Sequence, residues 1–301
     1  MTRHRAKVLA CLAVFVLAQS AIGRASDHDK TFWRAVAADK YRVPAGASIV
    51  DLTNELVGHL ASPDPEWRDE IAYNGLVAWI YQQKLVDLAQ LRAIATRLTA
   101  NLSDHIGSTD TDAVFNRSFS ALSLSVIVAR DNAEPVLEAS DVRNMLDAAL
   151  GYLAAERDVR GYLPDKGWAH SAAHTSDLLK FLGRSRFVTV ADQARILTAF
   201  NRKLTTTPGV FVFGEDERMS RAILSIVKRA DFDVVGFRTW VAGSTPKFPA
   251  ESALSVASLQ AFQNLKNTLA KLEVLMATDD ASTAGEKTAL DLVRVALKSA
   301  Y

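Results

Sequence analysis

The chain has 301 residues, of which 49% are hydrophobic and 23% are charged, and its formal net charge is +1. This composition provides enough apolar material for a substantial core and excludes an intrinsically disordered chain.

The first 25 residues have the features of an export signal. The n-region is basic, with Arg3, Arg5 and Lys7. The segment VLACLAVFVLA supplies a short apolar run, and small residues precede Ser26, the expected first residue of the mature chain. The run is too short for a comfortable membrane span. We therefore predict a signal peptide over residues 1–25 and a periplasmic or secreted protein that is not an integral membrane protein after cleavage.

Cleavage would also change the charge and the thiol content of the chain. The loss of four basic residues and no acidic residue takes the formal charge from +1 to −3. A mildly acidic protein has no general electrostatic reason to bind nucleic acid, so no nucleic-acid partner is expected. The only cysteine, Cys11, lies in the predicted signal, which excludes disulfides and cysteine nucleophiles from the mature chain.

Helical periodicity dominates from residue 30 onward. In DPEWRDEIAYNGLVAWIYQQKL, residues 64–85, apolar residues approximate one stripe, and Asp64 with Pro65 is typical of a helix start. The stripe comprises Trp67, Ile71, Leu76, Trp79 and Ile80. FNRSFSALSLSVIVARD, residues 115–131, is apolar almost all round, which predicts a buried inner helix.

The later segments continue this pattern. SDVRNMLDAALGYLAAERD, residues 140–158, begins with a Ser-Asp cap. Only FVFG, residues 211–214, is strand-like, and it is too short to imply a sheet. About ten to twelve helices joined by short turns predict an all-α protein, a stack of antiparallel helical hairpins resembling a degenerate armadillo or HEAT solenoid. No linker divides the chain, so residues 26–301 are expected to form a single domain.

The segment GWAHSAAHTSD, residues 167–177, carries the principal candidate site. Helical residues four and seven positions apart share a face, so His170, His174 and Asp177 are expected to project together. Two imidazoles and a carboxylate are suitable ligands for zinc or another first-row divalent metal, which could activate water for hydrolysis. No glutamate stands between the histidines, so the thermolysin-like pattern is absent and a general base would have to come from elsewhere.

Further candidate groups flank these three residues. The preceding turn brings Asp165 and Lys166 beside the helix start, where they are candidate catalytic groups. Downstream, the acidic run at residues 215–217 precedes Arg218 at another helix start, although acids in a first turn more often complement the helix dipole. The candidate binding residues are Arg160, Tyr162, Trp168, Glu215, Asp216 and Arg218.

Four segments resemble a known family: WRDEIAYNGLVAWI, FNRSFSALSLSVIVARD, ERDVRGYLPDKGWAHSAAHTSDLL and FGEDERMSRAI. Over residues 65–230 the chain is similar to the domain of unknown function 2785 family. The resemblance implies an α-helical, armadillo-like arrangement and supplies no established activity. It also implies a family signature that includes Arg160, Gly161, Tyr162, Lys166, Gly167, Trp168, His170, His174 and Asp177.

Three interpretations of the site stay open from the sequence: a metal site, a metal-free polar site, and side chains that only hold the helix in place. We predict an exported helical-repeat binding scaffold with a polar His/Asp site in its groove, whose partner would be a peptide or an envelope protein. The alternative is a metal-dependent hydrolase using His170, His174 and Asp177. An immunity or inhibitor protein is neither supported nor excluded.

Overall fold

The computed structural model describes residues 28–279 and 283–300, so the predicted signal peptide and its cleavage site lie outside the described residues. The described residues form twelve α-helices: α1 (Lys30–Ala38), α2 (Ile49–His59), α3 (Asn74–Leu76), α4 (Leu88–Asn101), α5 (Ala113–Ala133), α6 (Ala139–Ala155), α7 (Ser171–Leu182), α8 (Val190–Thr206), α9 (Glu215–Val227), α10 (Val234–Gly243), α11 (Val256–Ala277) and α12 (Ala284–Lys298). A short 3-10 helix, Glu251–Ala253, precedes α11. The predicted all-α class is confirmed. No helix in the described part of the chain has both the length and the apolarity to cross a membrane.

Helix α3 is the middle of a longer helical segment that is mostly π-helical. The π-helical stretches Glu66–Tyr73 and Val77–Gln82 flank it without interruption. We refer to residues 66–82 as the π-rich segment. The predicted start is confirmed, because the Asp64 carboxylate accepts the backbone N–H of Glu66 at 2.9 Å. The wider π turns were not predicted, and such turns are frequent near functional sites.

The helices pack in two rows. One row contains the π-rich segment, α5, α7, α9 and α11, each packed against the next. The other row contains α2, α4, α6, α8 and α10. Helices that follow one another in the chain pair across the rows, as α4 does with α5 and α6 with α7. This arrangement agrees with stacked helical hairpins, whereas the armadillo- or HEAT-like solenoid stays a prediction.

Helix α5 is the buried inner helix that its apolar sequence predicts. Phe119 and Ile127 on this helix are fully buried. Arg117 is also buried in α5, and its Nε donates to Oε2 of Glu156 at 2.6 Å. This internal ion pair joins α5 to the end of α6. Removing one partner would leave the other charge buried without compensation.

The β-structure lies where the sequence analysis did not expect it. Residues 211–214 form no strand. A hairpin is formed instead by β1 (Tyr162–Leu163) and β2 (Gly167–Trp168), which pair antiparallel with Tyr162 opposite Trp168. Gly167 has a φ of +72°, a left-handed conformation that glycine adopts readily. The hairpin immediately precedes α7 in the chain. It therefore fixes the position of the residues that lead into the candidate site.

The start of α6 also differs from the prediction. The helix begins at Ala139, and its capping box is formed by Glu138 and Asp141. The Asp141 carboxylate accepts the backbone N–H of Glu138 at 3.0 Å. The predicted Ser140 cap is therefore wrong, because the acidic residue two positions earlier takes that role.

Candidate functional site

His170 lies immediately before α7 and not on the helix, which corrects the predicted common helical face. Its φ of 52° is left-handed, and α7 begins at the next residue. Its carbonyl still accepts the backbone N–H of His174 at 2.9 Å. The two imidazole rings meet edge to face with their centroids 5.6 Å apart. A non-glycine residue held in this conformation stores local strain, a feature that clusters at functional sites.

The hydrogen bond between His174 and Ser118 defines the proton position on the ring. Nδ1 of His174 lies 2.7 Å from Oγ of Ser118, and the Ser118 hydroxyl donates its single proton to the carbonyl of Ala169. Nδ1 must therefore carry the proton of His174, and Nε2 keeps its lone pair. Burial is the main cause that holds the pKa of His174 well below its ordinary value of 6.5, and the charges of Arg218 and Arg68 act in the same direction. The ring is neutral.

His170 is held by the chain that precedes α9. Its Nε2 lies 3.0 Å from the carbonyl oxygen of Phe213, which can only accept, so Nε2 carries the proton and Nδ1 keeps the lone pair. Burial lowers the pKa of His170 as well. The two histidines therefore form a neutral pair with one acceptor nitrogen each. Both residues retain 7% of their surface.

The carboxylate of Asp177 is engaged by two cations. Oδ2 is bonded to Arg218, and Oδ1 lies 3.3 Å from Nζ of Lys180. Among the residues that the structure describes, no group of three or more His, Cys, Asp or Glu side chains is placed to hold a metal ion. The predicted zinc or first-row metal set of His170, His174 and Asp177 is therefore not assembled, because its carboxylate is engaged by cations. A metal-dependent hydrolase is not favoured.

Three predicted residues on the hairpin side lie outside this cluster. Asp165 is exposed in the hairpin turn. Lys166 pairs with Asp112, with Nζ 2.6 Å from Oδ1. Arg160 binds Asp158 through two hydrogen bonds, of 2.8 Å from Nε and 2.6 Å from Nη2. Lys166 and Arg160 are therefore held by Asp112 and Asp158, which are not part of the histidine cluster.

The acids at the start of α9 bind backbone N–H groups. Glu215 accepts the N–H of Phe213 at 2.9 Å, and burial raises the pKa of its carboxyl. Asp216 accepts the N–H of Glu217 at 2.9 Å. Both therefore satisfy donors at a helix N-terminus. Arg218, on the same turn, is the residue that reaches Asp177.

The π-rich segment contributes two groups that the sequence analysis did not select. Burial raises the pKa of Asp69 to about 6 and that of Tyr73 to about 12. The charges of Asp177 and Arg218 act on the pKa of Tyr73 in opposite directions, so this ring lies within electrostatic reach of that ion pair. A polar pair four residues apart on one helical segment was the available signal.

Three exposed aromatic side chains lie next to His170. Tyr162 is 48% exposed, Trp168 38% and Phe213 45%. Trp168 stacks on the His170 ring at 4.4 Å, and it meets Tyr162 at 5.0 Å and Phe213 at 6.2 Å in edge-on geometry. We refer to Tyr162, Trp168 and Phe213 as the aromatic surface. Gly161 allows Phe213 to pack in this position, since a Cβ at residue 161 would lie 2.1 Å from Cδ2 of Phe213.

The fold and the site together define an all-α protein with a neutral histidine pair beside an exposed aromatic surface. The family described as "Protein of unknown function (DUF2785)" matches residues 102–276, more than half of the chain, and the protein belongs to this family. The match starts and ends later than the predicted resemblance over residues 65–230 and does not include WRDEIAYNGLVAWI. No curated protein and no solved structure matches the chain.

Proposed function

We propose that the protein is an exported binding protein whose aromatic surface holds a peptide segment of a partner. The observation that carries the proposal is the exposure of Trp168 together with Tyr162 and Phe213, which both contact its ring. A patch of contiguous exposed aromatic rings is unusual on a surface that serves no binding role. Tyrosine and tryptophan are also the side chains that most often dominate binding energy.

The polar groups beside the aromatic surface fit the backbone of a peptide. His170 and His174 are neutral and offer acceptor nitrogens for N–H donors. Arg218 keeps 45% of its side chain exposed and offers donors for peptide carbonyls. Its charge is balanced by Asp177, and the other two ionisable side chains beside the site, Lys180 and Glu215, are of opposite sign, so the site has little net charge. An uncharged backbone with an apolar side chain suits this combination better than a strongly charged ligand.

A hydrolytic role receives less support. Ser118 lies beside His174 in a pairing that nucleophilic enzymes also use. Ser118 is fully buried, and its hydroxyl donates to the carbonyl of Ala169. A buried hydroxyl with its proton directed away from the histidine is not poised for attack on a substrate.

A selection of short random peptides on the mature protein tests the proposal. Selected peptides should bind the wild type and lose about tenfold or more in affinity to Trp168→Ala, which corresponds to about 1.4 kcal/mol. Tyr81→Ala is the matched control, since Tyr81 is 42% exposed and lies outside the aromatic surface. Peptides that bind Trp168→Ala as tightly as the wild type, or a selection without binders, would contradict the proposal.

The proposed export is tested separately. N-terminal sequencing of the protein recovered from the periplasm or the medium should give Ser26 as the first residue. A chain that stays in the cytoplasm with its first residues attached would refute export and leave the peptide proposal untouched.

A further inference from the structure

A cavity of about 440 Å³ lies where the end of α6 meets the end of α8. It shares no lining residue with the aromatic surface or the histidine pair. Its lining includes Glu156, Arg157, Arg202, Lys203 and Thr207. The volume falls in the range of small-molecule sites, which usually combine apolar walls with a few converging polar groups.

Lys203 brings a buried positive charge to this cavity. The residue is only 7% exposed, and its Nζ donates to the backbone carbonyl of Glu156 at 2.7 Å. That bond uses one of three ammonium donors. The nearest carboxylate, that of Glu156, binds Arg117 through Nε and Nη2 at 2.6 and 3.1 Å. The acid that lines the cavity is therefore already neutralised by a different cation. Burial lowers the pKa of Lys203 to about 8, and the ammonium is largely protonated at neutral pH.

Two further cations and one hydroxyl complete the lining. Arg157 and Arg202 are exposed, and neither forms an ion pair with an acid in the described part of the chain. Thr207 is 8% exposed, and its Oγ1 is buried without a hydrogen-bond partner. Buried hydroxyl groups are nearly always satisfied by protein or solvent, so an unpartnered one calls for an occupant.

We propose that this cavity binds a small molecule through a single oxyanion group, a phosphate or a carboxylate. Lys203 and the two arginines supply charge-assisted donors, and Thr207 supplies a hydroxyl. Capping of α6 accounts for the bond from Lys203 to the Glu156 carbonyl. It does not account for the two unpaired guanidinium groups or for the buried hydroxyl.

Calorimetric titration of the mature protein with inorganic phosphate, and separately with acetate, tests this site at constant ionic strength. At least one of the two anions should bind saturably, with one anion bound per protein chain. The variant Arg157→Gln/Arg202→Gln should weaken that binding about tenfold or more. The control Arg143→Gln/Arg238→Gln removes the same charge from exposed positions outside the cavity and should bind as the wild type does. Binding of phosphate, acetate or both supports the site and identifies the anion.

A second variant separates the site from nonspecific charge attraction. Thr207→Val keeps the volume and the charge and removes only the hydroxyl, so it should weaken anion binding severalfold without loss of stability. The proposal is overturned if neither anion saturates the protein, or if the two double variants weaken binding equally. It is also overturned if Thr207→Val binds like the wild type, because the hydroxyl would then not face the ligand. None of these results depends on the peptide proposal.

Discussion

Arg68 and Lys166 are 98 residues apart in the chain and are joined by a hydrogen bond of 2.6 Å from Nη2 of the arginine to the carbonyl oxygen of the lysine. Arg68 is fully buried, its Nη1 donates to the Ser62 carbonyl at 2.8 Å, and its guanidinium lies 4.0 Å from the ring centroid of Phe115. One side chain thereby connects the π-rich segment to the hairpin that carries Tyr162 and Trp168.

Replacement of Arg68 should therefore destabilise the fold. Arg68→Met keeps the apolar stem but leaves the half-buried carbonyls of Ser62 and Lys166 without their donor, and we expect a loss of about 1–3 kcal/mol in the free energy of unfolding. Part of the loss is offset because the buried charge is removed. Urea denaturation measures it. Arg97→Met, at an exposed position on α4, should change stability by less than about 0.5 kcal/mol. An Arg68→Met protein as stable as the wild type would disprove the connecting role.

His174 should make stability depend on pH below neutrality. The pKa of the folded ring lies well below 6.5, so as the pH falls through about 6.5 the unfolded chain takes up a proton that the folded ring does not. The free energy of unfolding then decreases. His174→Gln removes this proton uptake, and the stability of the wild type relative to the variant should fall as the pH is lowered. Urea denaturation at several pH values measures the difference.

The neighbouring histidine and the ring nitrogens provide independent checks. His170→Gln should give the same sign, because burial also lowers the pKa of His170. Nitrogen NMR of the wild type should place the proton of His174 on Nδ1 and that of His170 on Nε2. Stability curves of the wild type and His174→Gln that run parallel across this pH range would show that the folded ring titrates normally.

Asp69 should have the opposite dependence on pH. Burial raises the pKa of its carboxyl from 3.8 to about 6, so the folded state binds a proton that the unfolded chain has already released. The resulting stabilisation is present at low pH and is lost as the pH rises from about 4 through 6. Asp69→Asn imitates the protonated form and should therefore stabilise the protein more at pH 7.5 than at pH 4. Glu70→Gln, at the exposed adjacent position, is the matched control. If the stabilisation by Asp69→Asn did not increase with pH, the raised pKa of Asp69 would be refuted.

Gly161→Ala should disturb the aromatic surface more than the fold. The added methyl would lie 2.1 Å from Cδ2 and 2.5 Å from Cγ of Phe213, so this ring, which is 45% exposed, must shift. We expect a stability loss of at most about 1 kcal/mol together with a clear change in the fluorescence of Trp168. Gly151→Ala, where an added Cβ meets nothing within 4 Å, should leave the fluorescence unchanged. An unaltered spectrum in Gly161→Ala would show that the ring does not pack on this glycine.

The helical framework was largely predictable because burial of one helix face makes apolar residues recur at helical spacing. Residues 115–131 are apolar almost all round and lie in the buried helix α5. Helix α10 (Val234–Gly243) has a weaker signal, since VVGFRTWVAG contains two glycines and three valines, which lower helix propensity. The π turns were missed, because the choice between α and π hydrogen bonding depends on packing against neighbouring helices.

The candidate site was predictable only in its residue types. The sequence selected His170, His174 and Asp177 but assumed one helix throughout, whereas the left-handed backbone at His170 turns that ring towards Phe213. The bond between Asp177 and Arg218 spans 41 positions. The position of Tyr73 within electrostatic reach of this pair depends on how the helices of one row pack against each other, and the local periodicity of the sequence does not encode it.

Because residues 66–82 are mostly π-helical, the packing of this segment depends on how many residues it contains. A π turn holds more residues than an α turn, so the segment can lose one residue and still close its backbone hydrogen bonds as an α-helix. Because a π turn and an α turn each cover one full rotation, the two ends keep nearly the same phase after that conversion. A deletion between Tyr73 and Trp79 that left the turn type unchanged would instead rotate Tyr73 by about 100° against the residues that fill the interior.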